Sequence, residues 1–141
     1  MKIKYRKLII IGSLIGSSVT VYQYLDYLYL TKYCIDGCST VLTSQYAYLF
    51  GIPLGVWILI YFFTSICICS IYPNRNLFLI FLPITVLASI YAVILTYISL
   101  TILDTMCIYC LIENFMVQLN TAVYVINIPN LLGPRSPQAS F

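Results

Sequence analysis

The sequence predicts an all-α integral membrane protein, a four-transmembrane-helix bundle with an outer loop carrying a short interfacial helix. Three observations predict it. Hydrophobic residues make up 62% of the 141 residues and charged ones 8%, against roughly 45–50% apolar and 25% charged in a soluble domain. A domain this small has too much surface to hide that much apolar side chain from water. The charges leave long uncharged stretches: 18 residues between Lys7 and Asp26, 38 between Asp36 and Arg75, 28 between Arg75 and Asp104, and 21 between Glu113 and Arg135. The basic residues also fall almost entirely on one side of the spans those stretches imply. A soluble enzyme is excluded, and with no histidine so are a His-based metal site, a His general base and a Ser-His triad.

A membrane helix needs about 20 mostly apolar residues, which places spans near residues 8–30, 51–71, 77–99 and 106–127 of a single membrane domain covering 1–141. The first stretch is too long for a cleaved signal peptide and has no small-residue cleavage site, so it is read as a helix. Within it, Gly12-x3-Gly16 lets a neighbouring helix approach closely, and Gly51-x3-Gly55 is expected to do the same in span two. An outer loop follows at about residues 31–50. Ser39 and Thr40 are suited to capping a helix. With Val41, Leu42, Tyr46, Leu49 and Phe50 they predict an interfacial helix through the loop's second half. Pro53 is expected in the first turn of span two, and Pro83 is expected to kink span three. Residues 128–141, with three prolines, read as an irregular tail.

Orientation follows from the basic residues. Lys2, Lys4, Arg6 and Lys7 precede span one, Arg75 lies between spans two and three, and Arg135 follows span four. Only Lys32 falls on the opposite side. The positive-inside rule then places both termini and the 72–76 turn in the cytoplasm of a multi-pass cytoplasmic-membrane protein. Asp26, Asp36, Asp104 and Glu113 fall toward the outer side.

The chemistry lies in six cysteines, which this topology sorts. Cys34 and Cys38 are in the outer loop, Cys107 and Cys110 are at the outer end of span four, and Cys67 and Cys69 are near the cytoplasmic end of span two. Four therefore gather on the oxidising face, as Cys-x3-Cys and Cys-x2-Cys. Either spacing permits a disulfide, with Gly37 allowing the tight turn the first pair needs. The second pair opens a helix, where backbone N–H groups and the dipole favour a thiolate. A loop pair beside a membrane-edge pair makes a relay by thiol–disulfide exchange. Electrons enter from a soluble dithiol and leave to a lipid-soluble acceptor, for which quinones are the obvious candidates. Two other readings of the four outer cysteines stand beside this one: inert structural disulfides, or a four-cysteine zinc site. Cys67 and Cys69 are read as small buried hydrophobes.

Four segments carry a resemblance: Cys34-Ile35-Asp36-Gly37-Cys38-Ser39, Val41-Leu42-Thr43-Ser44, Leu49-Phe50-Gly51-Ile52-Pro53-Leu54-Gly55 and Cys107-Ile108-Tyr109-Cys110. In this order, over about residues 34–115, they resemble the vitamin K epoxide reductase family, and within it the bacterial members that make disulfides. In the other known quinone-linked disulfide-generating membrane family the quinone-side CxxC precedes the loop pair, whereas here the loop pair comes first. The resemblance implies a four-helix bundle around a quinone, roofed by the outer loop. It implies that Cys34 exchanges with a thioredoxin-like partner and that Cys38 passes electrons to Cys107 through a transient disulfide. It places Cys110 nearest the quinone ring. Ser44 matches a family serine beside the active site, its other role being a turn-bonded surface hydroxyl.

The chain also departs from the family pattern. Its loop cysteines are separated by fewer residues than is usual there. The Asn and Tyr that bind vitamin K quinone in animal members have no counterparts, which leaves vitamin K epoxide reduction as the alternative activity. There is no room for a fused thioredoxin-like domain, so a separate partner protein on the outer face is expected; no nucleic-acid partner is. Glu113, one turn beyond Cys110, is an ionisable group within a span. It is read first as snorkelling to the outer surface and second as handling a proton during quinone reduction.

Overall fold

The computed structural model describes residues 3–29, 38–71 and 75–129. Cys34, Asp36, Lys32 and Arg135 lie outside them, as do the tail from residue 130 and most of the 72–76 turn. The elements in order are α1 (Ile3–Tyr29), α2 (Cys38–Thr43), a 3-10 turn (Gln45–Ala47), the strands β1 (Tyr48–Leu49) and β2 (Ile52–Pro53), α3 (Leu54–Ser70), α4 (Arg75–Thr101) and α5 (Ile108–Ile126). Two helices, over Tyr5–Asp26 and Asn76–Thr101, are long and apolar enough to cross a membrane, while Leu54–Ser70 is apolar but shorter.

The loop's second half is not one helix, as expected, but a six-residue helix followed by a hairpin. In the hairpin Tyr48 pairs with Pro53 and Leu49 with Ile52, antiparallel. Its two turn residues both have positive φ, 56° at Phe50 and 77° at Gly51, as a type I′ connection requires. Two consequences revise the expectations for span two. Pro53, held extended at φ −55° and ψ 137°, stands just ahead of α3 instead of inside its first turn. Gly51 serves the turn, with nothing within 4 Å of a Cβ there, and Gly55 meets only Thr20 Cγ2 at 3.6 Å. That pair is not a close-approach motif.

Gly12 and Gly16 are one. A Cβ on Gly12 would sit 2.9 Å from Asn120 Oδ1 of α5, and one on Gly16 would fall into the Phe62 ring of α3. The two glycines thus let α1 lie between α3 and α5, with α4 packed on the far side of α5. Gly16→Ala forces Phe62, a fully buried ring, out of its place. An overpacked core site costs about 1–3 kcal/mol, so the variant is expected to unfold at clearly lower temperature in detergent. Gly55→Ala, with only ordinary contacts, serves as the control that does not.

An aromatic cluster ties the helices together at the end of the bundle remote from Cys107. The Phe78 and Tyr124 ring centroids are 4.3 Å apart, Tyr61 stacks on Phe81 at 5.8 Å and meets Phe62 edge-on at 5.3 Å. Beyond the cluster, Arg6 donates from Nε and Nη2 to the Cys69 carbonyl at 2.9 and 2.5 Å. A cation there caps the C-terminus of α3 and complements its dipole. Cys69 is buried and Cys67 half-buried, as their reading as small hydrophobes expects.

The exterior is apolar and much of the interior is polar. Ile80, Leu87 and Tyr97 of α4 are each 66% exposed, whereas Ser13, Thr20, Thr85, Glu113 and Asn120 are buried. α5 carries the polar seam. Asn114 Nδ2 donates to Thr96 Oγ1 (2.5 Å) and to the Ala92 carbonyl (3.2 Å). Gln118 accepts from Ser89 Oγ at 2.6 Å and donates to the Ser89 carbonyl at 3.0 Å. Asn120 Nδ2 donates to Ser13 Oγ at 2.9 Å. Such bonds join helices where lipid-facing surface supplies no hydrophobic drive. The Thr121 hydroxyl reaches the Thr85 carbonyl of α4 at 3.1 Å.

Candidate active site

α5 begins at a cysteine. Cys107, with φ −96° and ψ 111°, is its N-cap, and the Cys107 thiol accepts the Cys110 backbone N–H at 3.4 Å. The CxxC spacing thus puts one sulfur at the cap and the other three residues into the first turn, both at the same helix start. Cys110 Sγ lies 2.9 Å from Cys107 Sγ. The approach to α5 fixes this geometry. Ser99 Oγ holds the Thr105 carbonyl at 2.8 Å, and Asp104 takes a left-handed φ of 47°, a conformation Asp tolerates better than most residues.

Cys107 is 2% exposed and Cys110 half-buried. Both line a cavity of about 180 Å³. Ile58 of α3, Leu95 and Ile98 of α4 and Leu111 of α5 give it largely apolar walls, and Val41, Leu42, Ser44 and Tyr46 border it from the α2 segment. Polar side chains reach it from α1 and α5, among them Thr20, Gln23, Glu113 and Asn114. Gln23 Nε2 points at both sulfurs, 3.5 Å from Cys110 Sγ and 3.7 Å from Cys107 Sγ. A sulfur that carries negative charge during disulfide exchange therefore meets a side-chain amide and a backbone N–H.

Glu113 does not snorkel. It is 3% exposed, lines the cavity, and its Oε1 has no hydrogen-bond partner among the described residues, while the Thr20 hydroxyl lies beside the carboxyl. One turn from Cys110, the helical period carries it inward to face α1 instead of outward. Ser44 lines the same cavity, but its hydroxyl is turned onto the Val41 carbonyl at 2.7 Å. That is the turn-bonded arrangement, at a position facing the site. Cys38 opens α2, and Cys34 lies outside the described residues.

Gln23, Thr20 and Asn114 were not among the sequence candidates. A signal for two of them exists: Thr20 and Gln23 stand three residues apart, on one face of a span rich in apolar residues, and polar groups in a span turn to the bundle interior. Replacing Gln23 by Leu removes the amide from both sulfurs. Hydrogen bonds to charged groups are worth about 1.5–3 kcal/mol, and these are long. The expected result is about a tenfold slower exchange of the Cys107–Cys110 pair with a small dithiol, measured in stopped flow.

A quinone suits this cavity. It needs apolar walls and a few convergent polar groups, and the unpaired Glu113 Oε1 is a buried polar atom left for a ligand to satisfy. A largely helical chain, apolar outside, with a dithiol held against such a cavity, is a membrane protein built for thiol redox chemistry. The family model described as the Vitamin K epoxide reductase family matches residues 7–126, from the second turn of α1 to the end of α5, and the chain belongs to that family. The family's members are membrane-bound oxidoreductases. Among curated proteins, no significant match is found.

Proposed function

We propose that the protein is a quinone-dependent membrane thiol oxidoreductase that reoxidises a separate thioredoxin-like partner and so generates protein disulfides. In this reading the chain crosses the cytoplasmic membrane four times, through α1, α3, α4 and α5, with both termini inside. The cysteine pairs then lie at the outer face. Cys34 exchanges with the partner's dithiol, and Cys38 attacks the Cys107–Cys110 disulfide at Cys107. Release of the Cys38–Cys107 link by Cys34 restores the loop disulfide and leaves Cys107 and Cys110 reduced. A bound quinone, ubiquinone, menaquinone or similar, supplies the acceptor for the pair's two electrons and two protons.

The observation that carries this reading is the placement of the Cys107 and Cys110 sulfurs, 2.9 Å apart, on the wall of an apolar cavity among α1, α3, α4 and α5. A dithiol that only held structure would have no use for that opening. Within the site, the chain's own residues have separable tasks. Gln23 and the Cys110 N–H meet the developing charge at sulfur. The apolar walls of α3 and α4 exclude water. Ser44 is proposed to border the quinone from the α2 segment, where the Val41 carbonyl fixes its orientation.

The test is a coupled assay in detergent. Solubilised protein receives a reduced thioredoxin-like dithiol protein and a short-chain quinone, and the oxidised-quinone absorbance is followed. Loss of that band, with disulfide appearing in the partner, is expected. An unchanged band together with unreactive or metal-bound outer cysteines would return the pairs to a structural role.

A further inference from the structure

Glu113 is the only glutamate in the chain, and it is placed where a membrane protein would not keep a carboxyl for packing. It is 3% exposed, its Oε1 has no partner among the described residues, and it lines the same cavity as the two sulfurs. Cys110 is three residues before it on α5, so the two side chains share a face, about 5–6 Å apart at Cβ. A buried polar group without a partner is costly, and a buried acid in a span marks function more often than structure.

The cavity's other groups narrow what the carboxyl can do. α1 brings Thr20, Gln23 and Tyr24, and the segment after α2 brings Tyr46 and Tyr48. α3 and α4 contribute no titratable side chain to the lining, and α5 adds the two thiols. Asp26 is buried one turn beyond Gln23 on α1 but does not line the cavity. Among the described residues no lysine or arginine lines it either, so a group that gives up a proton there regains one from a neighbouring side chain.

We propose that Glu113 is the proton donor to the quinone oxygen when the Cys107–Cys110 dithiol is oxidised; this rests on the quinone-reductase reading above. As the Cys107–Cys110 bond forms, two electrons leave the sulfurs for the quinone. Glu113 gives its carboxylic proton to one quinone oxygen and regains a proton from the Cys110 thiol. The Cys107 proton completes the quinol. The sum is dithiol plus quinone to disulfide plus quinol, with Glu113 returned to its starting form. The Thr20 hydroxyl, whose own proton is given to the Gly16 carbonyl at 2.9 Å, orients the carboxyl.

Because the chain has a single glutamate, carbon-13 labelling of glutamate marks this carboxyl alone. Infrared difference spectra of the full-length protein with a short-chain benzoquinone should show a labelled carboxylic-acid band that shifts when the quinone is added to the reduced protein. A labelled carboxylate band, unchanged by quinone, overturns the proposal without any variant. In single-turnover oxidation of the reduced pair by the same quinone, Glu113→Gln should be about 100-fold slower, at the lower end of what a positioned acid contributes. Glu113→Asp should recover much of that loss, and dithiothreitol exchange of the pair should stay within twofold in both variants. Equal quinone rates in wild type and Glu113→Gln overturn the role of Glu113 and leave the enzyme's function standing. A wild-type protein that fails to reduce quinone overturns both.

Discussion

Cys110→Ala should abolish quinone reduction while leaving the protein folded. The fold is insensitive to this change for local reasons. Cys110 is half-buried in the first turn of α5, and alanine is the best helix former. The cap that starts the helix uses the Cys107 sulfur and the residue 110 N–H, both of which the variant keeps. The chemistry has no such tolerance. A two-electron oxidation of the cavity-wall pair by quinone needs both of its thiols to close a disulfide, and the partner of Cys107 in that pair is the Cys110 sulfur 2.9 Å away. The variant should therefore run at the chelated, protein-free background rate of quinone loss, with an unchanged thermal midpoint. Full turnover would remove Cys110 from the acceptor side of the relay.

Cys34→Ala should have the second large effect, a trapped link between the two cysteine pairs. With Cys34 absent, Cys38 has no neighbour to resolve its mixed disulfide with Cys107. The partner-dependent cycle stops, and a Cys38–Cys107 species should accumulate, visible as a cross-linked peptide pair after non-reducing digestion. Cys107 is the sulfur that this attack must reach, and it is the cap residue ahead of α5, where the connection from α4 ends. A digest containing only Cys107–Cys110 would mean that electrons do not pass through the loop pair in the order proposed.

What the sequence made legible were features that depend on composition along the chain. Gaps between charges located four helices, and cysteine spacing sorted by topology singled out the CxxC at the start of the last. Gly12 and Gly16 could be read as a close-approach stripe because helix period alone puts them on one face. Three features were hidden for physical reasons. The hairpin at residues 48–53 turns through Phe50 at φ 56°, a conformation bulky side chains rarely adopt, so Phe-Gly gives none of the usual Asn-Gly signal. The direction of Glu113 depends on which neighbour α5 meets, and distance from the helix start says nothing of that. Gln23 belongs to the site because the Gly12 contact with Asn120 lets α1 approach α5, a tertiary consequence that single-helix periodicity cannot supply.

The central claim is that the Cys107–Cys110 dithiol itself passes electrons to quinone. The most direct measurement is an anaerobic single turnover without any partner protein, using a variant in which Cys34 and Cys38 are both alanine. The reduced variant is mixed with a short-chain quinone, and quinone loss is compared with the Cys107–Cys110 disulfide formed. The account predicts one quinone consumed for each disulfide gained, at a rate matching that of the intact protein's reduced pair. Quinone loss without that disulfide, or a pair left fully reduced in excess quinone, would contradict it.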